Sequence, residues 1–398
     1  MPLPLECTND SDHGAWRITL SSLEDLAAVE EKWIELQSRT ECSFFQSWGW
    51  LSSWIGALPQ RLRPRALEVR LDDRLVGLAF LGNRKMWRYG IVPSNALFVS
   101  ETGDPQFDSL TVEHNGFLVE SGLSGAVVRQ GISGLVKLQL PWDELFLSGI
   151  VKDEAPAYLE SAERAHLRAL IKIEKPYCYV DCDTIRRSGG DYLGALGRNT
   201  RYQIRRATRA YEEKGPIGFH VAETLERAQD CFENLRRLHQ QYWVSRGMPG
   251  AFGSRFALDF HNNLIRNRFV KGEIQLAEIR VGATPVGYLY NFVFNRVVYN
   301  YQSAFQYDDD ARLKPGLMSH CRAVQYNLDA GMKTYDLLMG TQRFKQNLAT
   351  HQGKMAWLVL QKPRVRFRLE EVARRWRQRL RGTRTPALAE SKDGTGEQ

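Results

Sequence analysis

The stretch that decides the fold runs from Val297 to Leu348. It opens with Val297-Val-Tyr-Asn-Tyr-Gln-Ser-Ala-Phe305, a run of β-branched and aromatic residues that reads as a strand. A polar loop, Gln306 to Lys314, follows. Pro315-Gly316 then opens a segment whose apolar positions include Leu317, Val324 and Leu328, at spacings that predict a helix over Gly316–Ala330. Gly331 reads as its left-handed cap. A strand over Thr334–Leu338, a short helix over Arg343–Leu348 and a last strand over Met355–Leu360 complete the run. A helix that starts out of a loop presents free N–H groups and partial positive charge, which suits a diphosphate. Gly316 has no side chain to hold a phosphate off the backbone, and Arg312 and Lys314 add cations beside it. The same features also describe an ordinary loop-to-helix transition with proline in its first turn.

Working upstream, three strands precede this unit: Glu273–Val281, Pro285–Phe294 and Val297–Phe305 itself. Helices are predicted before them, over Tyr192–Lys214, Leu225–Val244 and Phe256–Phe269. The breaker-rich run Arg186–Gly190 reads as a linker. The first half has the same order in outline. A helix with Leu26, Val29, Trp33 and Leu36 on one face, N-capped by Ser22, leads to a short helix holding Trp50 and Trp54. A hairpin follows, Arg65–Leu71 and Arg74–Leu81, turning at Asp72-Asp73. Strand-like pieces lie at Ala96–Val99, Leu135–Leu140 and Glu144–Leu147, then a helix at Ala155–Ala169 and a strand at Tyr177–Asp181. Two α/β lobes are therefore expected, helices first and antiparallel strands after. Their bounds are 15–185 and 190–362, followed by a basic amphipathic helix over 363–384 and a disordered polar tail over 385–398.

The chain has 398 residues, an apolar fraction of 43% and a charged fraction of 25%, values of a globular protein and not of a disordered or fibrous one. No window approaches about 18 uninterrupted apolar residues, which argues against a spanning helix. The N-terminus lacks a basic and then apolar leader, and the six cysteines are sparse, so a reduced cytoplasmic protein is expected. Cys178-x3-Cys182 has no matching pair, and no histidines recur at metal-ligand spacing, so no metal is expected. Phosphate-loop, dinucleotide, zinc-protease and serine-hydrolase motifs are missing. The net charge of +8 points to anionic partners. Two segments concentrate it. On the helix at Tyr192–Lys214, Arg201, Arg205 and Arg209 fall on one face with Arg198, as a grip for phosphates or as a solvated face. The segment 363–384 alternates arginines with Leu369, Val372, Ala373, Trp376 and Leu380, a pattern for packing on its own domain or on an anionic membrane surface.

The element order from Glu273 to Leu360 resembles the core of the GNAT acyltransferases. The closer resemblance is to the CelD/BcsL-like acetyltransferases, a branch associated with cellulose and exopolysaccharide synthesis and related in architecture to the FemAB-type transferases. It spans about Leu20 to Leu360. It rests on Phe44-Phe-Gln-Ser-Trp-Gly-Trp50 with Trp54, on Arg198-Asn-Thr-Arg-Tyr-Gln-Ile-Arg-Arg-Ala207, on Lys314-Pro-Gly316, and on Tyr335-Asp-Leu-Leu-Met-Gly340 followed by Phe344-Lys345. The resemblance implies an α/β fold of two tandem GNAT-like lobes with mixed, mostly antiparallel sheets. It implies an acetyl-CoA site, with pantetheine along Ala304, Phe305 and Gln306 and the diphosphate on Lys314, Gly316, Leu317 and Met318. It makes Asp336, Tyr301 and Lys345 the candidates for positioning or deprotonating an acceptor. Two departures stand out. Only Gly316 remains of the usual glycine-rich phosphate loop, and Phe344 occupies a place where many relatives carry a tyrosine able to protonate the leaving thiolate. The expected function is transfer of an acetyl group from CoA to an amine or hydroxyl on a small molecule or sugar. The alternatives are an aminoacyl-tRNA-dependent transferase and a degenerate scaffold. Nucleic-acid binding from charge alone ranks last, since no recognition module is evident.

Overall fold

The computed structural model describes residues 4–371 except 12, 13 and 89. The expected tail at 385–398 and most of the basic segment 363–384 lie outside the described residues. Within that segment a helix begins at 365, where Phe367 is buried and Leu369 exposed.

The chain divides into two units. The first comprises the described parts of Met1–Cys42 and Ala356–Glu397 together with Leu58–Glu174. It starts with strands, not helices: β1 (Leu5–Ser11) and β2 (Gly14–Ser22) pair antiparallel before α1 (Leu26–Gln37). Asp25, not Ser22, caps α1, its carboxylate accepting the N–H groups of Ala27 and Ala28 at 3.0 and 3.1 Å. After α2 (Trp48–Ala57), which belongs to the second unit, come β3 (Arg65–Leu71), β4 (Arg74–Arg88) and β5 (Val92–Val99). The β3–β4 hairpin turns at Asp72 and Asp73, both with positive φ, as a two-residue primed turn requires. A two-residue strand β6 (Leu118–Val119) pairs with β4, and α3 (Ser124–Lys137) leads to β7 (Glu144–Val151) and α4 (Ala155–Arg164). The sheet order is β1-β2-β3-β4-β5-β7, antiparallel except for the last pair.

The strand expected at Leu135–Leu140 is instead the last turn of α3, which ends at Lys137, and the loop after it. Val127, Val128, Ile132 and Leu135 face the core at helical spacing, and Gly131 and Gly134 disguise the pattern. Those glycines serve contact, because a Cβ on Gly134 would fall 2.6 Å from Ile18.

The chain enters the second unit within β8 (Arg168–Asp181), after Glu174, and not at Arg186–Gly190. That run forms α5 (Cys182–Arg187) and a turn whose Arg186 guanidinium donates to the carbonyls of Leu328 and Met332, so it is packed structure and no linker. Then come α6 (Tyr192–Ala195), α7 (Arg198–Glu212), β9 (Ile217–Val221), α8 (Leu225–Val244) and α9 (Arg255–Arg268). The helix expected over Tyr192–Lys214 is thus two, broken at Leu196-Gly197. Next are β10 (Ile274–Val281), β11 (Thr284–Phe294), β12 (Val297–Phe305), α10 (Pro315–Asp329), β13 (Thr334–Met339), α11 (Arg343–Leu348) and β14 (His351–Gln361). β14 passes into the first unit at Ala356.

In the second unit the sheet order is β8-β13-β12-β11-β10-β9, with β12 and β13 its parallel pair. One face carries α5, α6, α7 and α10 over a core of Val298, Leu289, Tyr335, Met318, Val324 and Leu348. The other face carries α2, α8 and α9 over rings of Phe45, Trp50, Phe232, Phe260, Tyr290 and Phe292. The segment Ser43–Ala57 lies in this aromatic layer, which is why it joins the second unit, against the expected bound at 185. Each unit therefore has an antiparallel meander, a crossover helix and one parallel pair, the GNAT-like lobe repeated in tandem.

Candidate active site in the second unit

β12 and β13 run together for only three residue pairs: Val297–Thr334, Val298–Tyr335 and Tyr299–Asp336. β12 continues to Phe305 with no further pairing to β13, so its backbone from Asn300 onward forms a free edge. Irregularities on either side open this gap. On β12, Tyr290 opposes Gln302 and Asn291 opposes Asn300, which leaves Tyr301 as the extra residue of a bulge. On β13, pairing with β8 jumps from Asp336–Tyr179 to Met339–Tyr177. Leu338 sits there at φ +62°, costly for a leucine, and the Asp336 carboxylate accepts its N–H at 2.7 Å.

The gap leads along β12 to the N-terminus of α10. Lys314 is the N-cap residue and supplies no side-chain cap, and Pro315 is the first helical residue. The N–H groups of Gly316 and Leu317 are of the kind a helix start leaves unpaired. Gly316 has no positive φ, and a Cβ there would stand 3.4 Å from the Phe305 ring, an ordinary contact. Leu317 and Met318 turn their side chains into the core, and Ala304 is buried while Gln306 is exposed. The Lys314 amine reaches the Gln203 carbonyl of α7 at 3.4 Å.

This lysine links the Arg312–Lys314 loop to helix α7. A cavity of about 680 Å³ is lined by Arg198, Arg201, Arg205, Arg206 and Arg209 of α7 and by Arg312. A neighbouring one of about 320 Å³ is lined by Arg206, Arg312 and Lys314. Helix α7 buries Ile204, Ala207, Ala210 and Tyr211 and turns its arginines outward. Arg201 is half-engaged, donating to the carbonyls of Gly194 and Leu196 at 2.9 Å. Arg312 is forked onto Asp310. The guanidiniums of Arg198, Arg205, Arg206 and Arg209 make no ion pair or hydrogen bond with another described residue. Arg206 touches both cavities, yet a stripe drawn at steps of three and four passes it by.

Asp336 stands at the last β12–β13 pair, and Lys345 follows on α11. Asp336 is 3% exposed, and Lys345 donates to the Met339 carbonyl at 2.6 Å. Both charges reach the Cys178 thiol: burial pushes that thiol up, Lys345 pulls it down and Asp336 pushes it up. Tyr301 lies apart from that pair, at the bulge, in a ring cluster with Phe292 at 4.8 Å, His261 at 5.1 Å and Trp50 at 6.0 Å. Phe344 stacks on His320 at 5.7 Å. His320 is fully buried, neither ring nitrogen has a partner, and burial with the Lys345 charge holds its pKa down to about 3. His261 is likewise held to about 3 by burial. Nothing in the sequence marks these isolated histidines. No three His, Cys, Asp or Glu side chains converge as a metal site among the described residues.

Residues 198–346, from α7 into α11, match the family described as acetyltransferase (GNAT) domain. No curated protein matches the chain in sequence. Among solved structures, FemX is similar over 82% of this chain and 95% of its own, with a TM-score of 0.56 and 12% identity. L-PGS from Bacillus licheniformis is similar over 86% and 96%, with a TM-score of 0.51 and 13% identity. The C-terminal domain of a protein described as a lysylphosphatidylglycerol synthetase, from Agrobacterium fabrum, covers 88% and 96%, with a TM-score of 0.51 and 12% identity. The fold of this chain is that of the GNAT-type acyltransferases, and its acetyltransferase-like domain is the one that holds the open β12–β13 gap.

Proposed function

We propose that the chain transfers an acetyl group from acetyl-CoA to an amine or hydroxyl, with a sugar of a polysaccharide or cell-envelope pathway as the acceptor class. The observation that carries this reading is the free edge of β12, which runs directly to an uncapped helix start beside four unpaired arginines. An extended pantetheine arm can add to such an edge as a strand would, through backbone hydrogen bonds along Asn300–Phe305. The diphosphate then meets the N–H groups of Gly316 and Leu317 and the charges of Lys314 and Arg206, whereas the expected Met318 N–H is already given to the Lys314 carbonyl at 3.2 Å. Arg198, Arg201, Arg205 and Arg209 take the remaining nucleotide phosphate. Tyr301 at the bulge and the Asp336–Lys345 pair border the place where the thioester carbonyl arrives. Asp336 acts there as a positioning group, since its carboxylate already holds Leu338.

The second reading is an aminoacyl-tRNA donor. It is favoured by the length of the arginine face, because Arg198 to Arg209 covers about 16 Å of helix. The deciding experiment is calorimetric titration with CoA, acetyl-CoA and a charged tRNA in parallel. Micromolar binding of CoA species supports the first reading. Binding of tRNA alone replaces it with the second.

A further inference from the structure

One ring interrupts the arginine face of α7. The helix buries Thr200, Ile204, Ala207, Ala210 and Tyr211, and Tyr202 lies away from them, 62% exposed. Its side chain makes no ring contact, cation–π contact or hydrogen bond with another described residue. A single exposed aromatic is ordinary on a protein surface. This one differs in its place, because it lines both cationic cavities.

We propose that Tyr202 is the platform on which the adenine base of CoA stacks, so that the chain selects donors carrying the whole nucleotide. This assignment rests on the acyl-CoA reading above and adds the base to it. The smaller cavity holds Tyr202 together with Gln203, Arg206 and Lys314. The ring therefore shares a cavity with the N-cap residue of α10, where that reading sets the diphosphate. The larger cavity continues from the ring along Arg198, Arg205 and Arg209. Their volumes, about 320 and 680 Å³, lie in the range of about 300–1,000 Å³ that holds small ligands.

The order of groups in CoA matches this order of residues. Adenosine follows directly on the diphosphate and carries a further phosphate on its ribose. With the base on Tyr202, Lys314 and Arg206 meet the diphosphate, and Arg205 and Arg209 meet the ribose phosphate. Arg198 and Arg206 stand one turn before and one turn after the tyrosine on the same strip of helix. A guanidinium is planar and stacks on π systems, so either can close over the other face of the base. Stacking alone accepts any base. Adenine is the occupant because it is the base to which the CoA diphosphate leads.

The test compares the full chain with Tyr202→Ala and Tyr202→Phe. Binding of CoA and of phosphopantetheine, which lacks the nucleotide, is measured by calorimetry. Removal of the aromatic partner of a stacked base weakens binding by about 5- to 150-fold. A loss in that range is expected for CoA in the alanine variant, with the phenylalanine variant close to the parent and all three melting temperatures alike. Phosphopantetheine should bind the parent more weakly than CoA does and should not distinguish the three chains. As a direct readout of stacking, the fluorescence of CoA carrying etheno-adenine should be quenched by the parent and by Tyr202→Phe, and not by Tyr202→Ala. Three results overturn this assignment alone: CoA affinity in Tyr202→Ala within about threefold of the parent, short of the usual worth of a stacked base; equal quenching by the alanine variant; or phosphopantetheine binding as tight as that of CoA. Failure of the parent to bind CoA overturns the acyl-CoA reading and this assignment together.

Discussion

At the scale of single residues, Gly316 and Asp336 carry opposite lessons. Gly316 needs neither a positive φ nor a close approach in the protein itself, because a Cβ there meets only the Phe305 ring at 3.4 Å. Gly316→Ala should therefore fold with little change in melting temperature, while Gly316→Glu should fold and lose CoA binding, because it sets a carboxylate at the proposed diphosphate site. Unchanged CoA affinity in the glutamate variant would move the phosphate site elsewhere. Asp336 holds Leu338 in a backbone region that side chains disfavour, at φ +62°. Asp336→Asn keeps an acceptor oxygen for that N–H, so the gap should keep its shape. Asp336→Ala frees the strained turn and should cost about 1–3 kcal/mol of stability. Denaturant titration of the two variants separates a positioning carboxylate from a base: a base would make the asparagine variant inactive at full stability.

At the scale of elements, α7 is a helix with two jobs. Its apolar side fills the core, and its arginine side stays unpaired. Replacing Arg205, Arg206 and Arg209 together by glutamine should weaken CoA binding at least tenfold and flatten its salt dependence. The melting temperature should hardly move, since exposed charges seldom contribute more than about 1 kcal/mol each. Equal affinity in variant and parent would return this face to a solvated one. Helix α3 shows the other limit. Gly134→Ala would usually raise helix propensity, yet the new methyl would strike Ile18. The variant should lose about 1–3 kcal/mol through overpacking, measured by urea unfolding.

At the scale of the whole molecule, two dry histidines set a pH limit. His261 and His320 are held to about 3 in the folded protein, below the usual value near 6.5. Below pH 6.5 the unfolded chain therefore binds protons that the folded chain refuses. The stability present above pH 6.5 is lost as pH falls toward 3. By linkage each histidine removes about 2 kcal/mol between pH 6.5 and pH 5. The melting temperature should fall across that window, and His320→Leu should flatten the fall. A profile equally steep in the variant would assign the loss to other groups.

What the sequence by itself determined is the set of elements that local pattern controls. Strand β12, helix α8 and helix α11 have the bounds that periodicity and breakers predict. The helix and strand around Pro315-Gly316 come within one residue, Pro315–Asp329 against the expected Gly316–Ala330 and Thr334–Met339 against Thr334–Leu338, because turn, cap and apolar spacing are all local signals. Where contact overrides propensity the reading failed: α3 hides behind glycines that exist to meet Ile18, and Arg186–Gly190 looks like a linker although Arg186 is tied to two carbonyls of a segment far along the chain. Only the tertiary structure decided that Ser43–Ala57 packs among the rings of the second unit, that Lys314 reaches Gln203 of α7 beside Arg206, and that β12 and β13 part after three pairs. The physical reason is the same for each. A bulge at Tyr301, a left-handed leucine and a lone buried histidine have no signature in neighbouring residues, because long-range packing supplies the energy that holds them.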